Sequence, residues 1–318
     1  MLLNLVLLLA GLALLTWSAD RFIAAAASLV RHWGVSPMLI GIFVLGVGTS
    51  APEIAVSIAA SLRGAPDIAL GNAVGSNITN IALVLGVCAL FRPLPVTGSA
   101  LRGEFPAVLG TAVLLLLICA DDYYARWEGL GLLLLFVGVL GWLARRARGG
   151  DSGDEPDPLL DEIRSHATAE LGMRAALLWL VVGLIGLPLS AELFVQGAGG
   201  IARGLGISEL VIGLTVVALG TSLPELAASL ASVRRGEVEM ALGKVLGSNL
   251  FNALIVFGVP GAISSIALSP ELLRRDVPVM LALTIAIYLL AGVRGRLGPR
   301  GGAALLLSFA AYISILLV

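Results

Sequence analysis

Two glutamates, Glu53 and Glu225, each stand directly behind a proline inside a long apolar stretch. Their hexapeptides are Gly-Thr-Ser-Ala-Pro-Glu (Gly48 to Glu53) and Gly-Thr-Ser-Leu-Pro-Glu (Gly220 to Glu225). Downstream of each lies a second polar block, Gly-Ser-Asn-Ile-Thr-Asn (Gly75 to Asn80) and Gly-Ser-Asn-Leu-Phe-Asn (Gly247 to Asn252). A charged carboxylate in such apolar surroundings costs at least about 3 kcal/mol unless something compensates it. No arginine or lysine adjoins either glutamate in the sequence, so the expected compensating charge is not part of the protein. Thr49, Ser50, Ser76 and Asn80, with Thr221, Ser222, Ser248 and Asn252, add neutral hydroxyl and amide oxygens. Oxygen ligands without sulfur or imidazole suit a hard ion. Calcium takes about 6 to 8 of them at about 2.3 to 2.6 Å, and sodium fits the same atoms. Pro52 and Pro224 lack an N–H and are expected to kink or break their helices, freeing backbone carbonyls. Such carbonyls are tolerated at membrane depth only where they are buried in protein or line a cavity. Those of Gly46 and Ala218, just ahead of each break, are predicted to face the ion.

Each feature also has a plainer use. Membrane Ser and Thr often bond back to their own helix, the glycines can serve helix packing, and a glutamate in a broken helix can carry protons. None of these explains why all the features recur twice at one spacing.

The elements that hold these residues are set by composition. Of 318 residues, 58% are apolar and 13% charged, and the mean hydropathy is +1.00. That is too few charges to cover a water-facing surface, so the chain is read as an integral membrane protein. The formal charge of −1 gives no basic field for nucleic acid. Cys88 and Cys119 lie in apolar runs, and His32 and His166 are the only histidines, which excludes disulfide scaffolds and zinc chemistry. At about 20 residues per crossing, spans are placed at 2–19, 35–61, 67–91, 104–121, 127–144, 173–196, 207–233, 239–263, 275–293 and 300–317. The first lacks a basic leader and is followed by Asp20-Arg21, so it is read as a helix and not as a signal peptide. The acidic, Gly/Ser/Pro-containing segment 145–172 lacks the ligand spacing of an EF-hand and reads as a solvated linker. The distribution of arginines between spans predicts both termini outside and this linker in the cytoplasm.

The two motif pairs are separated by one offset. Gly48 to Gly220 and Gly75 to Gly247 both span 172 residues, and the same shift pairs Gly41 with Gly213, Arg63 with Arg235 and Asp20 with Glu192. Polar and glycine matches are not what chance similarity between apolar helices produces, so the halves are read as repeats. Five spans per half is an odd number, so the second half enters the membrane in the opposite sense. The expected fold is all-α and polytopic, with ten transmembrane helices in two inverted five-helix repeats and breaks in helices 2, 3, 7 and 8. The first repeat is 1–144 with its motif block at 34–90, and the second is 173–318 with its block at 206–262. Inverted repeats meeting at a central site allow a rocking transporter.

These motifs resemble those of the cation/calcium antiporter superfamily, whose sodium/calcium exchangers carry paired repeats of this form. The resemblance covers both motif blocks and the ten-helix layout, and the short linker is similar to that of prokaryotic members. It implies that Glu53 and Glu225 are the central ligands, that Thr49, Ser50, Ser76, Thr221, Ser222 and Ser248 complete calcium and sodium sites, and that Asn80 and Asn252 form a further pair. It implies Na⁺ and Ca²⁺ as transported ions, no organic cofactor and a plasma (inner) membrane location, with the lipid bilayer and the transported cations as partners and no nucleic acid. A monomer would suffice for transport. Some relatives, including potassium-dependent exchangers, have an acid at one position of the asparagine pair. This chain has none there, so its site carries at most two negative charges, which one Ca²⁺ or two Na⁺ would balance.

The mechanism expected is antiport by alternating access, with Ca²⁺ and Na⁺ competing for one oxygen-lined constellation. The first and sixth spans, carrying Asp20 and Glu192, are candidates for the moving gate, with interfacial anchoring as the simpler role of the two acids. Rivals are a Ca²⁺/H⁺ or K⁺-dependent exchanger and, in a different class, a cation channel. An enzyme is not expected: His-Glu-x-x-His is absent and no histidine lies near the motif serines. Lys244, the chain's single lysine and the counterpart of Asn72, is expected to snorkel to the cytoplasmic end of its span, with gating or ion repulsion as the other reading.

Overall fold

The structure is a computed structural model that describes residues 1–32, 50–148, 171–235 and 238–316. Helix α1 (Leu2–His32) runs well past the predicted end of the first span, because nothing in its Ala-rich second half stops a helix. The following helices are α2 (Ala51–Leu62), α3 (Pro66–Phe91), α4 (Glu104–Ile118) and α5 (Arg126–Arg148). After the linker, which lies outside the described residues, come α6 (Met173–Leu205), α7 (Glu209–Arg234), α8 (Ala241–Ile263), α9 (Val277–Arg294) and α10 (Pro299–Leu316). Seven helices among the described residues are long and apolar enough to cross a membrane. The other three expected spans fall on α2, α5 and α9. The chain is a multi-pass, mainly helical membrane protein.

Two short antiparallel ladders depart from the all-α expectation. Leu94-Pro95 (β1) pairs with Arg296-Leu297 (β4), and Tyr123-Tyr124 (β2) pairs with Ile266-Ala267 (β3). Each ladder joins one half of the chain to the other, and β1 lies 172 residues before β3.

The predicted breaks take another form. Pro224 sits inside a helix that continues to Arg235, and the interruption in α7 is a π-turn at Gly213–Val217. Matching π-turns occur at Asn80–Val84 in α3 and Asn252–Val256 in α8. A π-turn inserts one residue without ending the helix, so the helices are re-registered and not broken. The carbonyls around the α8 π-turn are met by side chains from the first half. Ser57 Oγ donates to Val256 O at 2.7 Å, and Tyr124 Oη donates to Phe257 O at 3.0 Å. In α2, Pro52 falls in the first turn, two residues after the N-cap Ser50, where a missing N–H costs nothing.

Helices α1 and α6 pack against each other along their lengths and run antiparallel, with Gly11 against Phe194 and Gly183 against Phe22. A Cβ on Gly11 would lie 2.5 Å from Phe194 N, and one on Gly183 would lie 2.6 Å from Phe22 Cβ. Small residues are therefore required for this contact, as is usual between helices in lipid. The apolar core forms two clusters, one on α1, α2 and α6 and one on α4, α5, α8, α9 and α10, and α3 and α7 contribute to both.

Candidate functional site

Helices α3 and α7 cross at contact distance because glycines face them. A Cβ on Gly75 would lie 2.6 Å from Leu214 O and 2.8 Å from Ala218 Cβ, and one on Gly71 would lie 2.6 Å from Leu210 O. This approach brings the polar residues of the two motif blocks into one buried layer. Glu53 is 1% exposed and Glu225 3%, and the two carboxylates are within electrostatic reach of each other. Ser50, Ser76, Asn80, Thr221, Ser222, Ser248 and Asn252 are all buried as well.

The Thr221 hydroxyl is the junction of the layer. It donates towards Asn72 Oδ1 at 3.1 Å and Val217 O at 3.2 Å, and the Glu53 carboxylate is within its reach. Ser76 Oγ is 3.4 Å from the same Asn72 oxygen. In the motif blocks a set of buried oxygens has no hydrogen-bond partner among the described residues: Ser50 Oγ, Glu53 Oε2, Asn80 Oδ1, Ser222 Oγ, Glu225 Oε2, Ser248 Oγ and Asn252 Oδ1. Buried polar atoms are nearly always satisfied, and a cluster of unsatisfied ones calls for an explanation such as an ion. These atoms are hydroxyl, amide and carboxylate oxygens, the donor set of a hard cation. Among the described residues no group of three His, Cys, Asp or Glu side chains forms, so the anionic part of the layer is the glutamate pair.

Of the predicted site residues, the structure buries Glu53, Glu225, Ser50, Ser76, Asn80, Thr221, Ser222, Ser248 and Asn252. Thr49 and Gly46 lie outside the described residues. Ala218 is buried against Gly75, and its carbonyl lies 3.4 Å from Thr221 Oγ1. Pro224 deprives the carbonyl four residues back, at Gly220, of its donor, while the helix continues through it. Sequence reasoning missed three further buried amides. Asn72 sits at the junction, and Asn249 Nδ2 donates to Asn77 O at 3.2 Å. Asn77 and Asn249 were visible as the third residue of each Gly-Ser-Asn, whereas Asn72 had only its position one turn before Ser76 as a signal.

A second correction concerns charge. No cation adjoins the glutamates in sequence, but in space Lys244 is half-buried and within electrostatic reach of Glu53, Glu225 and Asp20. Near the edge of the bundle, Glu192 on α6 pairs with Arg63 in the α2–α3 turn, and the Arg21 guanidinium lies over the Trp179 ring at 4.9 Å.

Comparison with known proteins agrees with this geometry. The family model described as "Sodium/calcium exchanger protein" matches residues 3–144 and 175–318. The chain belongs to the sodium/calcium exchanger protein family. Within that family it is 42% identical to CaxA of Alkalimonas amylolytica over 319 residues, covering 98% of each chain. It is 41% identical to the inner membrane protein YrbG of Escherichia coli (strain K12) over 306 residues, covering 96% of this chain and 94% of that one. Among solved structures it is similar to the sodium-calcium exchanger NCX_Mj soaked with 100 mM Na⁺ and 10 mM Sr²⁺, with TM-score 0.65 and 33% identity over 98% of each chain. The sodium/calcium exchanger family is one of membrane transporters, and this member is a transporter and not an enzyme.

Proposed function

We propose that this chain is a secondary antiporter that exchanges Na⁺ for Ca²⁺ by alternating access at one site between Glu53 and Glu225. The observation that carries the reading is the buried layer of partnerless oxygens around the two acids, which a hard cation would satisfy. Ser50, Ser76, Ser222, Ser248, Asn80 and Asn252 supply neutral ligands, Thr221 orients Glu53, and Thr49 is assigned beside Ser50. With the acids ionised, an empty site leaves two like charges buried together, whereas a loaded site does not. Reorientation is therefore favoured only with cargo aboard, and competition between the two ions couples their fluxes.

The two halves, 1–144 and 173–318, act as inverted repeats joined by the cytoplasmic linker 145–172, with both termini outside. The antiparallel pairing of α1 with α6 at equivalent positions, and the ladders that exchange partners between halves, support that reading. So does an asymmetry in the contacts: Ser57 donates to Val256 O, but its counterpart Ser229 is buried without a partner among the described residues. Two repeats in unlike states are what a carrier open to one side requires. α1 and α6, which contact each other more than the rest of the bundle, form the moving pair, and the Arg63–Glu192 contact ties that pair to the motif helices.

The test is Ca²⁺ uptake into proteoliposomes driven by an outward Na⁺ gradient, with a protonophore present. Sodium-dependent uptake that persists with the protonophore and is lost in Glu53→Gln supports the reading. Uptake driven only by a proton gradient makes the chain a Ca²⁺/H⁺ exchanger, and uptake without any counter-ion makes it a channel.

A further inference from the structure

Lys244 is the only lysine in the chain. It stands on α8 four residues before Ser248 and eight before Asn252, so the three side chains share one helix face. Both downstream residues are buried, and Ser248 Oγ and Asn252 Oδ1 have no hydrogen-bond partner among the described residues. The counterpart of Lys244 in the first half is Asn72, which is fully buried and holds Thr221 and Ser76 through Oδ1. In that half the position belongs to the inner ring of the site. Where the first half places a neutral amide, the second places a cation. Half-buried on that face, it is coupled electrostatically to Glu53 and Glu225 and also to Asp20 on α1.

A lysine ammonium is a compact point charge with three donors on a flexible stem, the side chain closest in character to a hard monovalent cation. Beside two buried carboxylates it lowers their mutual repulsion without filling the oxygen cage as Ca²⁺ does. Asp20 offers it a second carboxylate when a divalent ion takes the centre. A fixed charge of −2 becomes −1 with the lysine included, so one Na⁺, and not two, completes neutrality.

We propose that the Lys244 ammonium is a tethered cation of the ion site, standing in for one Na⁺ at the Glu53–Glu225 pair and moving towards Asp20 when Ca²⁺ enters. This rests on the exchange reading above and goes further: the side chain sets how many monovalent ions the site takes and weakens Ca²⁺ binding, because Ca²⁺ has to displace it.

The experiment compares full-length wild type, Lys244→Asn, which makes the halves alike, and Lys244→Arg, which keeps the charge. Calorimetric titration with CaCl₂ should show Ca²⁺ bound at least about tenfold tighter by Lys244→Asn, the scale on which one neighbouring charge moves an equilibrium. In proteoliposomes the Na⁺ taken per Ca²⁺, read from the reversal potential, should rise by about one. Lys244→Arg should stay near wild type in both. If Lys244→Asn does not yield monodisperse protein, Lys244→Met, similar in length and uncharged, carries the same comparison. Unchanged Ca²⁺ affinity and coupling in the neutral variants overturn the inference while leaving exchange intact. Equal shifts in the arginine and neutral variants mark a packing effect and overturn it as well. Absence of Ca²⁺ binding in wild type and all variants overturns both this and the exchange reading.

Discussion

Replacing Gly75 with alanine perturbs the ion site through backbone contact alone, without touching a ligand. The new Cβ would sit 2.6 Å from Leu214 O and 2.8 Å from Ala218 Cβ. Neither neighbour is the end of a flexible side chain. An ordinary carbon–oxygen contact is about 3.3 Å or more, so α3 and α7 must separate by about 0.7 Å. The Thr221 Oγ1 to Asn72 Oδ1 distance, 3.1 Å at present, then passes the limit of a useful hydrogen bond. Overpacking of this kind costs about 1 to 3 kcal/mol of stability. Because the same shift pulls the α3 oxygens away from those of α7, Ca²⁺ affinity should fall by at least about tenfold, equivalent to about 1.4 kcal/mol. The control is Gly110→Ala, where a Cβ meets nothing within 4 Å. There helix propensity alone operates, and the change should be neutral or mildly stabilising. Thermal melting of the purified proteins with and without Ca²⁺, followed by calorimetric titration, reads both effects. A Gly75→Ala protein that melts and binds Ca²⁺ like wild type would refute the idea that this helix crossing positions the site.

Three other perturbations separate the parts of the account. Glu225→Gln should remove the stabilisation that Ca²⁺ confers on wild type, about 2.7 kcal/mol at a hundredfold excess over Kd, while leaving the ion-free protein no less stable; melting curves with Ca²⁺ and with chelator check this. Ser57→Ala removes the donor to Val256 O and should disfavour the present state by about 1 kcal/mol, whereas Ser229→Ala deletes a hydroxyl with no partner here and should favour it; cysteine accessibility from the two membrane sides should move in opposite directions. Tyr312→Phe removes a 2.9 Å bond donated to the fully buried Asp276 and should cost about 1.5 to 3 kcal/mol by denaturant or thermal unfolding, with little effect on Ca²⁺ affinity.

Much of this was legible because polar residues are so conspicuous in an apolar chain. Glu53, Glu225 and the hydroxyl and amide residues around them were found from two short blocks repeated at one offset, and the structure buries the described ones together. Seven of the span positions followed from hydropathy, although α1 and α6 overran their predicted ends where no stop signal lay. The π-turns were not legible: Pro224 suggested a break, but π-turns are stabilised by distant donors such as Ser57 and Tyr124, which no local pattern reveals. The electrostatic coupling of Lys244 to the glutamates was likewise hidden, since adjacency in sequence says little about which side chains come near each other across a bundle. Asn72 became a site candidate only when Thr221, on another helix, was seen to touch it.

The account stands on a hard cation bound between Glu53 and Glu225. Crystals soaked in Ca²⁺ or Sr²⁺ and measured for anomalous scattering test this directly. A peak should appear within about 2.3 to 2.6 Å of oxygens from both glutamates, and it should fade as Na⁺ is raised. Saturating divalent ion with no peak there, or a peak that touches neither carboxylate, would contradict the claim.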